Sequence, residues 1–210
     1  MSMIPIPERG IYLASRSPRR RELLSQIGVR YHLLLFRDRV GEQADVDETT
    51  LSGEAPAAYV ERMARAKAEA GWRRMLQRNL PIAPVLAADT TVSFEGRIFG
   101  KPANRAQAEQ FLGTLSGKRH EVLTAVALKN HEQLEFALSS SEVLFKTLSK
   151  DEIAQYVASG ESDDKAGAYA IQGRAARFVV ELRGSYSGVM GLPLYETSQL
   201  LDKLRGRHPY

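Results

Sequence analysis

Residues 10–22 read Gly-Ile-Tyr-Leu-Ala-Ser-Arg-Ser-Pro-Arg-Arg-Arg-Glu, an apolar strand that runs through a short serine-rich loop into a helix. Ser17 suits the N-cap position, and Pro18 suits the first helical turn because its missing N–H would have had no partner there. We predict a strand over residues 10–14 and a helix over residues 18–27. This strand–loop–helix unit is the first of a series that continues along the chain.

The predicted helix begins with three arginines, Arg19, Arg20 and Arg21. A helix N-terminus already carries a partial positive charge, so each added cation there is unfavourable by about 0.3–1 kcal/mol. An anion bound at the helix start would reverse the sign of that cost, because free N–H groups, a serine hydroxyl and arginine side chains would all face it. The stretch indicates either a phosphate site or a solvated helix whose arginines turn away from its end.

The rest of the chain alternates between strand and helix patterns. Asn130-His131 joins two consecutive predicted strands as a hairpin, which disfavours an all-parallel sheet. We therefore expect an α/β fold with a mixed sheet flanked by helices. The predicted strands are 30–36, 85–94, 120–129, 134–147 and 177–183; the helices are 56–77, with Tyr59, Met63, Ala66 and Ala70 facing inward, 104–115 with Asn104 as cap, 149–158 with a Ser149–Glu152 capping box, and 193–205; the loops are 37–54 and 159–176.

Length and composition limit the class of protein. A chain of 210 residues with 43% hydrophobic and 26% charged residues is typical of a globular protein, and without a linker-like stretch it predicts one domain over residues 1–210. The absence of cysteine excludes a disulfide scaffold, a cysteine zinc site and a thiol nucleophile, and it fits a cytoplasmic location. We expect no signal peptide and no membrane span. The net charge of +4 is weak evidence for nucleic-acid binding and fits an anionic small substrate equally well.

Asp89 is the strongest catalytic candidate, because it interrupts the apolar strand Val85–Phe94. An isolated buried carboxylate is very costly, so it needs a cation, a metal or several hydrogen-bond donors. Such carboxylates cluster at functional sites. The alternative is a structural aspartate satisfied by the backbone and threonine hydroxyls.

Three further stretches could contribute to a site. Lys101 lies twelve residues after Asp89, across a turn at Glu95-Gly96, so a hairpin-like return could bring it back beside the strand; otherwise it is a surface lysine. The acidic run 45–48 suits a hard cation such as Mg²⁺, or is a solvated loop. Residues 161–173 offer glycines, Tyr169 and Gln172 to a ligand, or form a connector with a buried tyrosine.

Common nucleotide-binding and catalytic motifs are absent from the sequence. It contains no P-loop, no dinucleotide-binding G-x-G-x-x-G and no nucleophile elbow. None of the four histidines forms a pair with metal-ligand spacing. The serine–arginine loop and Asp89 therefore remain the main candidates for functional residues.

Several segments, in this order, resemble the Maf family, also called septum-formation-inhibitor-like proteins. The resemblance covers nearly the whole chain. The matching segments are Leu13-Ala-Ser-Arg-Ser-Pro-Arg-Arg, Val46-Asp-Glu48, Tyr59-Val-Glu-Arg-Met-Ala-Arg-Ala-Lys67, Ala87-Ala-Asp-Thr90, Gly100-Lys-Pro102, Leu115-Ser-Gly-Lys-Arg-His-Glu-Val-Leu-Thr-Ala-Val126, Asp164-Lys-Ala-Gly-Ala-Tyr-Ala-Ile-Gln-Gly173, Gly184-Ser-Tyr186 and Gly191-Leu-Pro193.

The resemblance implies a fold and an activity. The expected fold is an elongated mixed α/β sheet like that of the inosine triphosphate pyrophosphatases, with the active site in a cleft. The expected activity is hydrolysis of a nucleoside triphosphate to the monophosphate and pyrophosphate. The expected substrates are dTTP and UTP, with modified pyrimidine nucleotides as further candidates. The expected cofactor is a divalent cation, Mg²⁺ or Mn²⁺.

The resemblance also assigns roles to individual residues. Asp89 matches the proton acceptor, and Asp89 and Glu48 match the metal-side carboxylates. The triphosphate contacts match Ser15, Arg19, Lys67 and Lys101, and the specificity positions of the subfamily acting on dTTP and UTP match Arg19, Thr90 and Gln172.

Other functions remain open at this point. They are a nucleotide-binding regulator of septum formation without turnover, a pyrophosphatase of the 7-methyl-GTP type, and a nucleic-acid-binding protein, for which the sequence lacks an evident recognition module. We expect a nucleotide partner and neither a nucleic acid nor a membrane, and a homodimer is among the assemblies open to the chain.

Overall fold

The structure is a computed structural model and describes residues 10–35 and 46–206. The strands are β1 (Ile11–Leu13), β2 (Tyr31–Leu33), β3 (Val85–Phe94), β4 (Arg97–Phe99), β5 (Arg119–Asn130), β6 (Gln133–Phe145) and β7 (Val179–Arg183). The helices are α1 (Pro18–Gln26), α2 (Pro56–Gln77), α3 (Arg105–Leu115), α4 (Lys150–Ala158), α5 (Tyr186–Val189) and α6 (Leu194–Gly206).

The strands form one sheet in the order β2-β1-β3-β5-β6-β7, with β4 paired to the end of β3. β1 is parallel to β2 and β3, while β4, β5, β6 and β7 pair antiparallel with their neighbours. The mixed sheet flanked by helices is therefore confirmed. The long β3–β5–β6 ladder forms its centre.

Strand β3 has two different partners along one edge. β1 pairs with its start at Val85 and Leu86, and β4 pairs with its end from Val92 to Phe94. Within the part of the chain that the structure describes, no strand pairs with residues 88–91 on this side. This opening in the sheet lies where β1 ends and α1 begins.

Helix α2 covers one face of the sheet. Its contact face is formed by Val60, Met63, Ala64, Ala68 and Met75, all fully buried. The predicted inner stripe of Tyr59, Met63, Ala66 and Ala70 is therefore wrong only at Ala66, which is half-buried, while Tyr59 is partly buried and packs against the core. The helix is rotated so that Gly71 meets the sheet, where an added Cβ would lie 2.8 Å from Val85 Cγ1.

The opposite face of the sheet is covered in two parts. Beside β1, α1 and α6 pack with Leu86 and Ala88 into one apolar cluster. Beside the far end of β3, α3 and α4 pack with Val92 and Phe145 into another. The β3 residues in these two clusters alternate along the strand with the β3 residues that face α2. This alternation is expected of a strand that is covered on both faces.

Most predicted elements are present, and the helix caps are confirmed. Ser17 and Asn104 accept backbone N–H groups at the starts of α1 and α3, and Ser149 and Glu152 form the capping box of α4. The hairpin turn falls at His131-Glu132, one residue later than predicted. The loop 37–54 lies in part outside the described residues.

Four short elements were not predicted. β4 and α5 are too short to show a periodic pattern. The stretch predicted as loop, 159–176, contains two 3₁₀ turns, Ala166–Ala168 and Arg174–Phe178. Elements of three to five residues depend on their tertiary contacts more than on local sequence.

None of the helices within residues 10–35 and 46–206 has the length and apolar character needed to cross a bilayer.

Candidate active site

The serine-rich loop after β1 begins the site. Ser15 is buried, and its Oγ accepts hydrogen bonds from the Ser17 N–H at 3.2 Å and from Arg20 Nη1 at 3.2 Å. Ser17 Oγ in turn caps α1 through the Arg20 N–H at 3.5 Å. The loop therefore folds against the helix start, beside the opening in the sheet.

The arginines at the start of α1 point in different directions. Arg19 pairs with Glu22 at 2.8 Å, and its side chain is 43% exposed. Arg20 turns inward and donates from Nε to the Gly191 carbonyl at 2.7 Å and from Nη2 to Thr90 Oγ1 at 3.2 Å. Burial lowers the pKa of the Arg20 guanidinium, while the charges of Asp89 and Glu48 act in the opposite direction.

Arg20 is thus the arginine that the structure brings to Ser15 and Thr90, and the sequence analysis did not single it out. A periodic signal was available. Arg20 lies three and four residues before Leu23 and Leu24, the buried pair of α1, and so shares their face. Arg19 shares its face with Glu22 instead.

On the other face of β3, Asp89 lies against α2. Lys67 Nζ is 2.6 Å from Asp89 Oδ1 and also 2.6 Å from Glu48 Oε1. The Asp89 side chain is 12% exposed and that of Glu48 is 48% exposed. One lysine therefore holds two carboxylates beside the opening in the sheet, and their nearest oxygens are within about 5 Å of each other.

Glu48 is anchored by its backbone as well as by Lys67. Burial alone would raise the pKa of the Glu48 carboxyl, but the charge and hydrogen bond of Lys67, with the charges of Lys101 and Arg20, lower it. Tyr59 donates to the Glu48 carbonyl at 3.1 Å. Burial, with the charges of Asp89 and Glu48, raises the pKa of Tyr59 to about 12, so its hydroxyl remains a donor.

The acidic run 45–48 does not act as one cluster. Asp47 accepts the Thr49 N–H at 2.9 Å and closes a local turn, while Glu48 points to Lys67. Asp45 lies outside the described residues. Of the two described carboxylates of the run, Asp47 and Glu48, it is Glu48 that shares Lys67 with Asp89.

Lys101 is near this cluster, as the turn at Glu95-Gly96 predicted. β4 returns antiparallel along β3, and Lys101 Nζ lies 4.0 Å from Glu48 Oε2 with its side chain 60% exposed. The carbonyl of the preceding Gly100 accepts the Gly167 N–H at 3.1 Å, which ties the loop 161–173 to this end of β4.

Within that loop, Tyr169 belongs to the core. Its hydroxyl lies 2.9 Å from His120 Nε2, and burial raises its pKa. The expectation that Tyr169 stacks on a ligand is therefore wrong, and the buried-tyrosine alternative holds. Gln172 is half-buried, and its side chain makes no hydrogen bond with residues 10–35 or 46–206.

Thr90 begins a chain of neutral contacts on the face opposite Asp89. Its Oγ1 lies 3.0 Å from Oγ1 of Thr124 on β5, and Thr124 Oγ1 lies 2.8 Å from the Gly188 carbonyl of α5. Thr124 is fully buried. Thr124 was not predicted as a site residue, because the register between β3 and β5 cannot be read from either strand alone.

The carboxylate pair fits a divalent cation of the Mg²⁺ type. Among the described residues, no group of three or more metal-ligating side chains occurs. Mg²⁺ needs only one or two carboxylates when waters and substrate phosphates supply its other ligands. Glu48 and Asp89 are the side chains placed to provide them.

Comparisons with known proteins identify the family of the chain. Residues 10–204 match the family model described as Maf-like protein. The chain is 58% identical to the dTTP/UTP pyrophosphatase of Nitrosomonas europaea, over 92% of this chain and 93% of the relative. It is 59% identical to the dTTP/UTP pyrophosphatase of Aromatoleum aromaticum, over 95% of this chain and 97% of the relative.

Among solved structures, the chain is similar to the Staphylococcus aureus Ham1 protein, with a TM-score of 0.46 and 15% identity over 94% of this chain and 99% of that one.

The family match spans nearly the whole described chain, including Ser15, Lys67, Asp89 and Lys101, and relatives above 50% identity cover more than nine-tenths of it. The chain belongs to the Maf-like protein family.

Proposed function

We propose that this protein hydrolyses dTTP and UTP to the nucleoside monophosphate and pyrophosphate in the cleft beside Asp89. The observation that carries the proposal is the Lys67 ammonium, bonded at 2.6 Å to both Asp89 and Glu48 at the opening in the sheet. The relatives named dTTP/UTP pyrophosphatase, at 58% and 59% identity, support the same activity and the same pyrimidine substrates.

Asp89 is proposed as the proton acceptor. As a water oxygen attacks phosphorus and the α–β phosphoanhydride bond breaks, a proton of that water passes to the Asp89 carboxylate. Lys67 holds one carboxylate oxygen at 2.6 Å and so fixes the orientation of the other. A positioned carboxylate base of this kind contributes about 10²–10⁴-fold to a rate.

Cations around the opening are proposed to bind the triphosphate. Lys67, Lys101 and Arg19 supply charge, and Ser15 supplies a hydroxyl. Arg20 adds a guanidinium that already spans Ser15 and Thr90. Catalysis of phosphoryl transfer rests mainly on such positioning and charge stabilisation.

Glu48 and Asp89 are proposed to hold a divalent cation, Mg²⁺ or Mn²⁺. When bound, the cation neutralises phosphate oxygens and lowers the pKa of a coordinated water. The lowered pKa of Glu48 keeps its carboxylate ionised, as metal binding requires.

Arg19, Thr90 and Gln172 are proposed to set the base preference. The edge of uracil and thymine alternates acceptor, donor and acceptor, and the Gln172 amide offers both a donor and an acceptor to it. Gln172 is half-buried without a hydrogen bond to another described residue, so its amide is available. A site built on such bonds rejects a mismatched base because its own polar groups would be left unpaired.

A cytoplasmic location, a role without nucleic acid and a homodimer remain predictions. Cell fractionation tests the location, and light scattering on the purified chain tests the homodimer.

The proposed activity is tested by incubating the protein with Mg²⁺ and a panel of canonical and modified triphosphates while pyrophosphate release is measured. We expect dTTP and UTP to be the fastest canonical substrates, with CTP and purine triphosphates slower. Faster hydrolysis of GTP or 7-methyl-GTP would contradict the pyrimidine assignment. Tight binding without pyrophosphate release would instead indicate a nucleotide-binding regulator.

A further inference from the structure

The contacts of Thr124 determine where its single hydroxyl proton lies. Its Oγ1 is 2.8 Å from the Gly188 carbonyl, which can only accept a hydrogen bond. Without a proton between them, two oxygens at this distance would place their lone pairs against each other in a fully buried position. Thr124 therefore donates to Gly188.

The direction of the next hydrogen bond follows from the first. Thr124 has no second proton for Thr90, whose Oγ1 lies 3.0 Å away, so Thr90 donates to Thr124. Arg20 Nη2 can only donate, and it donates to Thr90 at 3.2 Å. The bonds run in one direction, from Arg20 through Thr90 and Thr124 to the Gly188 carbonyl.

This direction leaves Thr90 with one unused lone pair and no free proton. Ser15 is in the opposite state, because its Oγ accepts from both the Ser17 N–H and Arg20 Nη1 and so keeps its own proton free. Arg20 thus leaves one hydroxyl as a donor, which suits a phosphate oxygen, and the other as an acceptor. A hydroxyl that can only accept selects a ligand group that carries a proton.

We propose that Thr124 is a positioning residue that fixes Thr90 as a hydrogen-bond acceptor and thereby favours a base with a protonated N3. This inference rests on the proposed function, in which Thr90 meets the base. Uracil and thymine carry a hydrogen on N3, whereas N3 of cytosine is an acceptor.

The backbone of α5 is built to accept this contact. An added Cβ on Gly188 would lie 3.1 Å from Ser185 Cβ and 3.2 Å from Ser139 Oγ, so a larger residue would be crowded against both serines. The Gly188 N–H is held by Ser185 Oγ at 3.0 Å. The carbonyl that orients Thr124 is therefore fixed in place.

The test compares kcat/KM for UTP and CTP in Thr124→Val and Thr124→Ser. Valine has the shape of threonine but no hydroxyl, so the Thr90 proton loses its inward acceptor and can turn to cytosine N3. We expect the UTP-to-CTP ratio to fall about tenfold in Thr124→Val, as for one buried hydrogen bond, and to stay within about twofold of wild type in Thr124→Ser. If the valine variant does not fold, Thr124→Cys replaces it, because a thiol is a weak donor and acceptor.

Thr197→Val is the matched control. Thr197 is equally buried, and its hydroxyl donates to the Pro193 carbonyl at 2.7 Å within α6. This variant should lower thermal stability without changing the substrate ratio. An unchanged ratio in a folded Thr124 variant, or an equal loss in Thr124→Ser, would overturn the role of Thr124 while leaving the proposed function intact. A wild-type protein that releases no pyrophosphate from UTP would overturn both.

Discussion

Asp89 and Thr90 are neighbours on β3, yet their side chains enter two different environments. Asp89 faces α2 and forms a network of charges with Lys67 and Glu48. Thr90 faces α1 and α5 and, apart from Arg20, meets only neutral groups. The alternation of a strand places both residues at the same opening in the sheet, one on each side.

The two sides differ in how easily their contacts can be exchanged. On the Asp89 side, the Glu48 and Lys101 side chains are 48% and 60% exposed, so water screens their interactions and partners can change at little cost. On the Thr90 side, Thr124 is fully buried, and a lost bond leaves an unpaired polar group. The charged side is suited to a ligand that replaces ion pairs, and the neutral side to one that must match a fixed pattern.

The largest expected effect comes from Asp89→Asn, which removes charge and basicity from the charged side but keeps the size of the side chain. We expect kcat for UTP to fall about 10²–10⁴-fold, as for the loss of a general base. Pyrophosphate release and circular dichroism on the same preparation are the measurements.

Asp47→Asn is the control for that variant, because Asp47 serves a local turn through Thr49 and not the cleft. Activity should change little in this control. Near-wild-type turnover by a folded Asp89→Asn protein would remove Asp89 from its proposed role and would weaken the distinction between the two sides of β3.

The second effect is on stability and concerns His120, on the same face of the sheet as Thr124. Burial lowers the pKa of His120 to about 4, whereas an unfolded histidine titrates near 6.5. The folded protein thus binds fewer protons between these values. This contribution to stability is present above about pH 6.5 and is lost as the pH falls toward 4, by about 3 kcal/mol in total.

Chemical denaturation between pH 7 and pH 4 tests this loss. The unfolding free energy of His120→Gln should depend less steeply on pH than that of the wild type. Glu48, whose pKa is lowered, should stay ionised through most of this window, so stability should fall before the charge of Glu48 does. Identical pH slopes in the two proteins would show that His120 is not held neutral.

Local patterns were enough to predict the frame of the molecule. The bounds of β3 and α2, the caps at Ser17 and Asn104 and the capping box of α4 depend on neighbouring residues only, and all are confirmed. The position of Asp89 in a buried strand could also be predicted, because it depends on the apolar residues next to it in the chain. The inner face of α2 was misjudged because alanines fit either side of a helix.

The missed features depend on contacts between distant parts of the chain. Thr90 and Thr124 meet through the register of two strands, and Gly188 reaches Thr124 through a helix of four residues. The direction of Arg20 depends on the Gly191 carbonyl, 171 positions later in the chain. The spacing of Arg20 from Leu23 and Leu24 indicates its face of α1, but none of these long-range contacts can be read from the sequence.

The smallest expected effect separates the two neighbouring arginines and sharpens the comparison on the neutral side. Arg20 donates to Ser15, Thr90 and Gly191 from three different nitrogens, a pattern that a single lysine ammonium cannot reproduce. Arg20→Lys should therefore lower kcat/KM for UTP about tenfold, the effect of losing one or two such bonds. Arg19→Lys keeps the charge that Arg19 is proposed to bring to the triphosphate, at an exposed position where the ion pair with Glu22 contributes about 0–1 kcal/mol, so its kcat/KM for UTP should fall less than that of Arg20→Lys. Steady-state kinetics on both variants decide between them: an equal or larger loss in Arg19→Lys would mean that the exposed arginine makes the specific contact with substrate and that the Arg20 bonds serve the fold.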